Sequence, residues 1–137
     1  MDDLERFATA QDGGVWERAV EEVRRGRKTG HWMWFVYPQL RGLGRTSTSD
    51  FYGLADVQEA RALLAHPLLG ARLRVALDTA ADAAHPRVVF GGTGAMKLRS
   101  CATLMLRASD EPAARRVLDA HWAGAADELT DELLRSD

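Results

Sequence analysis

The sequence predicts an all-α fold, because apolar residues recur at helical spacing through most of the chain and glycine, proline and capping residues fall where those stripes end. One short segment, Arg87-Val88-Val89-Phe90, has strand composition, and no second segment is available to pair with it. The chain has 137 residues, of which 46% are apolar and 28% charged. That suits one compact globular domain spanning 1–137 with its own core, not a disordered or fibrous chain.

Taken in order, Leu4, Phe7 and Ala8 form a short stripe closed by Gly13-Gly14, and Trp16, Ala19, Val20 and Val23 form a second that runs to Gly26. His31 to Tyr37 is apolar nearly all round, so it is buried on most sides, either as a central helix or as an extended segment, and Pro38 ends it. Asp56 followed by Glu59 has capping-box spacing, with Val57, Ala60, Leu63 and Leu64 as the buried stripe behind it. That helix stops at His66, since the residue before Pro67 disfavours helical backbone. Pro67 is placed to open the next helix, with Leu69, Leu73, Ala76, Leu77 and Ala80 inward. A link at Gly91-Gly92-Thr93-Gly94 precedes a helix carrying Ala95, Leu98, Ala102, Met105 and Leu106. Ser109 or Asp110 caps a further helix with Ala114, Val117, Leu118 and His121, which Gly124 ends, and Thr130 starts a last short turn.

Charge is informative in its distribution. Formal net charge is -2, which gives no reason to expect tight non-specific nucleic-acid binding. No acid occurs from Arg24 through Ser49, where Arg24, Arg25, Arg27, Lys28, Arg41 and Arg45 fall, nor from Ala83 through Ser109, where Arg87, Lys97, Arg99 and Arg107 fall. The start, Met1-Asp2-Asp3, has no basic, apolar secretory pattern, no run is long enough to cross a bilayer, and Cys101 has no partner cysteine. A reducing, cytoplasmic setting is the expectation.

The segment from Gly26-Arg27-Lys28-Thr29-Gly30-His31-Trp32-Met33-Trp34-Phe35 to Pro38-Gln39-Leu40-Arg41-Gly42-Leu43-Gly44 resembles a bacterial family of small proteins registered as a domain of unknown function. Leu4, Arg6, Phe7, Ala10-Gln11, Tyr52, Glu59-Ala60, His66-Pro67, Phe90-Gly91 and Lys97-Leu98-Arg99-Ser100 extend the likeness over nearly the whole chain. The resemblance implies a multihelical fold with a buried central aromatic helix and no known activity. Automated naming sometimes labels such proteins calpastatin, a label without physical support, since calpastatin-type inhibitors are disordered and this chain has a core. Gly94 stands where the family pattern leads one to expect Asp, and Cys101 where a second Ser is usual.

The chain has only two lysines, Lys28 and Lys97, one in each acid-free segment. In a chain that otherwise uses arginine, lysine is suited to sites needing a compact ammonium or an amine of adjustable pKa; chance is the plain alternative. His31 is either an acid-base or anion-donating group, or a structural one bonded to a backbone carbonyl. Trp32 is a candidate stacking wall, and only one of Trp32 and Trp34 can face a given ligand, since they point about 200° apart on a helix. The loop Gly42 to Ser49 can cradle an anion with Arg41 and Arg45 alongside, or be an ordinary surface loop. Ser100 lies one turn after Lys97, in the reverse order of a Ser-x-x-Lys motif, which favours paired donation to an anion over nucleophilic catalysis. Cys101 is reactive if its site is cationic and inert if buried. The histidines are scattered, so no metal is expected, and no cofactor fingerprint or complete catalytic set can be read.

The leading expectation is a basic pocket for a small anionic ligand, a nucleotide or other phosphorylated metabolite, formed where the two acid-free segments meet. Lys28, His31, Trp32, Arg41, Arg45, Lys97 and Ser100 are its residues. The competing expectations are an adaptor whose basic face meets an acidic protein, and a nucleic-acid-binding module using the same face.

Overall fold

A computed structural model describes residues 3–136, and among them the secondary structure is helical apart from a single bridge between Leu40 and Leu54. The helices are α1 (Glu5–Gln11), α2 (Val15–Arg25), α3 (Met33–Val36), α4 (Ser47–Tyr52), α5 (Val57–Ala65), α6 (Leu69–Asp82), α7 (Pro86–Ser109), α8 (Pro112–Trp122) and α9 (Glu128–Ser136). The all-α expectation holds. Helix α7 is the centre: α5, α8 and α9 pack against it, while α6 lies along α8, α5 and α2. From Leu98 to Leu106 it buries every residue but Arg99.

The stripes read from sequence are the ones that face inward: Ala19, Val20 and Val23 on α2, Ala60, Leu63 and Leu64 on α5, and Leu69 through Ala80 on α6. Asp56 caps α5 by accepting from the Glu59 amide at 2.8 Å, and Glu59 in turn accepts from the Ala55 amide at 2.9 Å. The aromatic segment is a single helical turn, shorter than a central helix, because the Trp32 and Tyr37 backbones leave helical geometry on either side. Trp32, Met33, Val36 and Tyr37 are buried there, and Tyr37 donates to the Ala76 carbonyl at 2.6 Å.

Several boundaries differ from the sequence reading, and side chains explain them. Pro67 does not open α6; the His66 imidazole Nδ1 accepts from the Leu68 and Leu69 amides, so the helix begins at Leu69. The other His-Pro pair repeats the device, with His85 Nδ1 accepting from the Arg87 amide at 3.1 Å. Arg87 to Phe90 is therefore the first turn of α7 and not a strand. The glycine-rich link lies inside α7, where only Gly91 leaves helical backbone, at φ 79° and ψ 173°. Neither Ser109 nor Asp110 caps α8: Asp110 takes left-handed backbone at the end of α7, and Glu111 accepts from the Ala113 amide. Helix α9 starts before Thr130, because Asp127 accepts from both the Thr130 amide and hydroxyl. The second half of the Gly42 to Ser49 loop is α4, capped by Thr46. Ala123, as well as Gly124, carries positive φ after α8.

Candidate functional site

The site is assembled by one carboxylate and one backbone bond. Gly26, in left-handed backbone at φ 88°, turns the chain away from α2. Glu22, on the last turns of α2, then accepts through the same oxygen from the Thr29 amide at 2.7 Å, the Gly30 amide at 2.9 Å and the Trp32 indole at 3.0 Å. Burial alone would raise the Glu22 carboxyl, but the bonds from the Gly30 and Thr29 amides and the Trp32 indole outweigh it and hold the group below its usual range. The loop so fixed donates the Lys28 amide to the Val89 carbonyl at 2.8 Å. Trp32 also meets the Phe90 ring edge-on, with centroids 6.3 Å apart. The two acid-free segments therefore meet in space.

Their meeting brings the two lysines together over the tryptophans. Lys28 Nζ stands 5.4 Å from the centre of the Trp32 ring, and Lys97 Nζ stands 4.6 Å from that of Trp34. Partial burial, and after it the charge of Lys28, lower the Lys97 ammonium from the ordinary lysine value. Neither lysine forms an ion pair among the described residues, whereas arginines such as Arg6, Arg74, Arg107 and Arg116 do.

Beside Lys97 opens a cleft of about 300 Å³ between the loop after α3, the middle of α7 and the start of α9, lined by Arg45, Thr46, Met96, Lys97, Asp127 and Leu129 among others. Met96 and Leu129 are 61% and 55% exposed, so apolar side chains stand open to solvent beside the polar ones. A smaller recess next to it reaches Trp34 and Tyr52 and shares Lys97. Within that recess Trp34 keeps its buried indole N–H without a hydrogen-bond partner.

The sequence-derived candidates are distributed as follows. Lys28, Lys97 and Trp32 come together, and Arg45, Lys97 and Ser100 share the cleft. Trp32 is 3% exposed with its indole bonded to Glu22, so the tryptophan reached by the recess is Trp34. Arg41 is turned to structure, donating to the Asp50 carbonyl at 3.1 Å and the Gly53 carbonyl at 3.0 Å. His31 is exposed and bonds to nothing among the described residues. The Ser100 hydroxyl has the Met96 carbonyl at 2.9 Å and the Asp127 carboxylate at 3.3 Å as alternative acceptors. Cys101 is fully buried, and burial pushes its thiol well above the usual range, which makes it inert. At Gly94 a Cβ would come within 2.8 Å of the Phe90 Cβ, so glycine accommodates the ring that packs on Trp32 and Tyr37.

Asp127, Met96 and Leu129 line the cleft without having been sequence candidates, whereas Thr46 belongs to the Gly42 to Ser49 loop and Trp34 was weighed against Trp32. Asp127 alone carried a signal, since an Asp three residues before Thr130 has helix-capping spacing. Glu22 carried none, because its partners lie seven to ten residues away in an irregular loop. Among the described residues, no cluster of three or more His, Cys, Asp or Glu is placed to hold a metal ion, and no helix is long and apolar enough to cross a membrane.

Fold and site define a helical protein in which Lys97, over the half-buried Trp34, lines an open cleft, with Lys28 set over the buried Trp32. The chain belongs to the family described as protein of unknown function (DUF1810), which it matches over residues 1–134. It is similar, at 41% identity, to a conserved hypothetical protein of Mycobacterium tuberculosis, Rv1873, seen in a crystal structure. That likeness covers 98% of this chain and 97% of the other, with a TM-score of 0.92. Among curated proteins no match is found.

Proposed function

We propose that the cleft beside Lys97 binds a small anionic ligand, a mononucleotide or another phosphorylated metabolite with a flat or apolar portion. The observation that carries this reading is the lysine pair. The chain's two lysines lie far apart in sequence, converge through the Lys28–Val89 backbone bond, and have no carboxylate partner among the described residues. Two like charges held close without a counterion are unfavourable by themselves and favourable to an anion placed between them. Arg45 adds a third cation at the rim, and Met96 and Leu129 supply apolar contact. Asp127 does not cancel this charge by pairing with a lysine, since its carboxylate is engaged by Thr130 and Ser100. The cleft volume of about 300 Å³ stands at the lower end of ligand sites, roughly 300–1,000 Å³. Small ligands therefore fit better than dinucleotides.

The test is a melting-temperature screen with inorganic phosphate, AMP and ribose 5-phosphate, at low salt and at about 0.15 M, where screening is stronger. A ligand at roughly 100 times its Kd stabilises the folded state by about 2.7 kcal/mol. Saturating stabilisation that weakens with salt is expected. A flat response to all three at both salt concentrations would overturn the reading.

A further inference from the structure

Resting on the anionic-ligand reading of the same cleft, we infer that Lys97 is an amine nucleophile that captures small anionic carbonyl compounds, aldehydes or ketones bearing phosphate or carboxylate, as an imine. The choice of residue points this way. Among 18 basic residues only Lys28 and Lys97 are lysine, and arginine would hold an anion at least as well through its planar fork. What arginine cannot supply is a free amine.

The surroundings of Lys97 suit that use. Its Nζ is half-buried, 4.6 Å above the centre of the Trp34 ring, and it borders both the cleft and the recess beside it. The charged groups facing it are Lys28 from the loop after α2, Arg45 from the loop before α4, and Asp127 ahead of α9. Two of these three are cations, and Asp127 is held by its own helix cap. Burial and a neighbouring ammonium are the two devices that expose a lysine lone pair near neutral pH. The indole face works in the opposite direction by favouring a cation, but it favours the product equally, because a protonated imine is also a cation. Arg45, which lines the same cleft, then holds the anionic group of the ligand, and the charge of Lys28 adds to its attraction.

The step balances without a further reagent. The Nζ lone pair attacks the carbonyl carbon, and the C–O π pair moves to oxygen, which takes up a proton. The carbinolamine then expels that oxygen as water while the nitrogen lone pair forms the C=N bond. Counted from the ammonium, three N–H bonds become one, and the two protons leave with the carbonyl oxygen as water.

The experiment uses pyridoxal 5′-phosphate as the anionic aldehyde and pyridoxine 5′-phosphate as its unreactive alcohol, with borohydride to fix any imine and peptide mapping to locate it. The proposal expects Lys97 to carry most of the label, severalfold more than Lys28. Lys97→Arg should lose the label while keeping its circular dichroism and its stabilisation by pyridoxine 5′-phosphate. Lys28→Gln should lower labelling of Lys97 severalfold. Label spread evenly over the amines, or absent while pyridoxine 5′-phosphate still stabilises, would overturn the imine and leave the anion site standing. If neither compound raises the melting temperature, the anion site falls with it.

Discussion

Removing the Glu22 carboxylate should unfasten the loop that carries Lys28, and the structure sets the size of the effect. Glu22→Ala orphans three donors: the exposed Thr29 amide, the half-buried Gly30 amide and the indole of Trp32, which is 3% exposed. Water can replace the carboxylate at the first two, so each contributes about 0.5–1 kcal/mol, while the buried indole is left unsatisfied at about 1–3 kcal/mol. The sum is about 2–5 kcal/mol, a fall in Tm on the order of 10 °C for a chain of this size. Glu22→Gln keeps an acceptor and should lose only about 1 kcal/mol. The pH dependence gives a second check. Because the folded state holds the Glu22 carboxyl below its ordinary 4.5, its contribution is present above that pH and is lost as pH falls through the folded value. Urea unfolding followed by tryptophan fluorescence should therefore show the wild-type advantage over Glu22→Gln shrinking between about pH 7 and pH 3. A loss below about 1 kcal/mol in Glu22→Ala, or an advantage that grows in acid, would refute the assignment.

Three other outcomes follow from local geometry. Gly91 has φ 79° with open space where a Cβ would stand, so Gly91→Ala should cost about 1–3 kcal/mol of pure backbone strain. The neighbouring Gly92→Ala, equally open and without positive φ, should be neutral or stabilising by up to about 1 kcal/mol, and thermal melts of the two variants separate these effects. Gly70→Ala places a Cβ in collision with the Leu64 carbonyl oxygen, forcing α5 and α6 apart; a melting temperature within a few degrees of wild type would contradict the close approach. Burial of the Cys101 thiol predicts no reaction with Ellman's reagent at about pH 8 until urea unfolds the chain, and a fast native reaction would contradict it.

Much of the fold was legible because burial imposes helical periodicity directly on the sequence. The stripes of α2, α5 and α6 and the Asp56 cap needed only local spacing. Boundaries failed where a side chain outside the usual capping set took the role, as His66, His85 and Glu111 do. The Gly91 kink was read as a link between helices, since glycine spacing marks a break without telling whether hydrogen bonding continues across it. At the site, the paired acid-free segments pointed to Lys28 and Lys97 because charge segregation survives in one dimension. Trp34 was passed over for Trp32, and Arg41 counted as a ligand group, because which face of a single turn is packed is settled by Phe90 and Gly53, distant in sequence.

The account stands most directly on the lysine pair as an anion site. Titration calorimetry of AMP or inorganic phosphate into wild type and Lys97→Ala at low salt tests it, with Arg24→Ala, an exposed position on α2, as the control. The account predicts saturable binding to wild type and to the control, and a loss of about tenfold or more in affinity for Lys97→Ala, the worth of one charge-assisted contact. Equal affinity in all three proteins, or no heat of binding from either ligand to wild type, would contradict it.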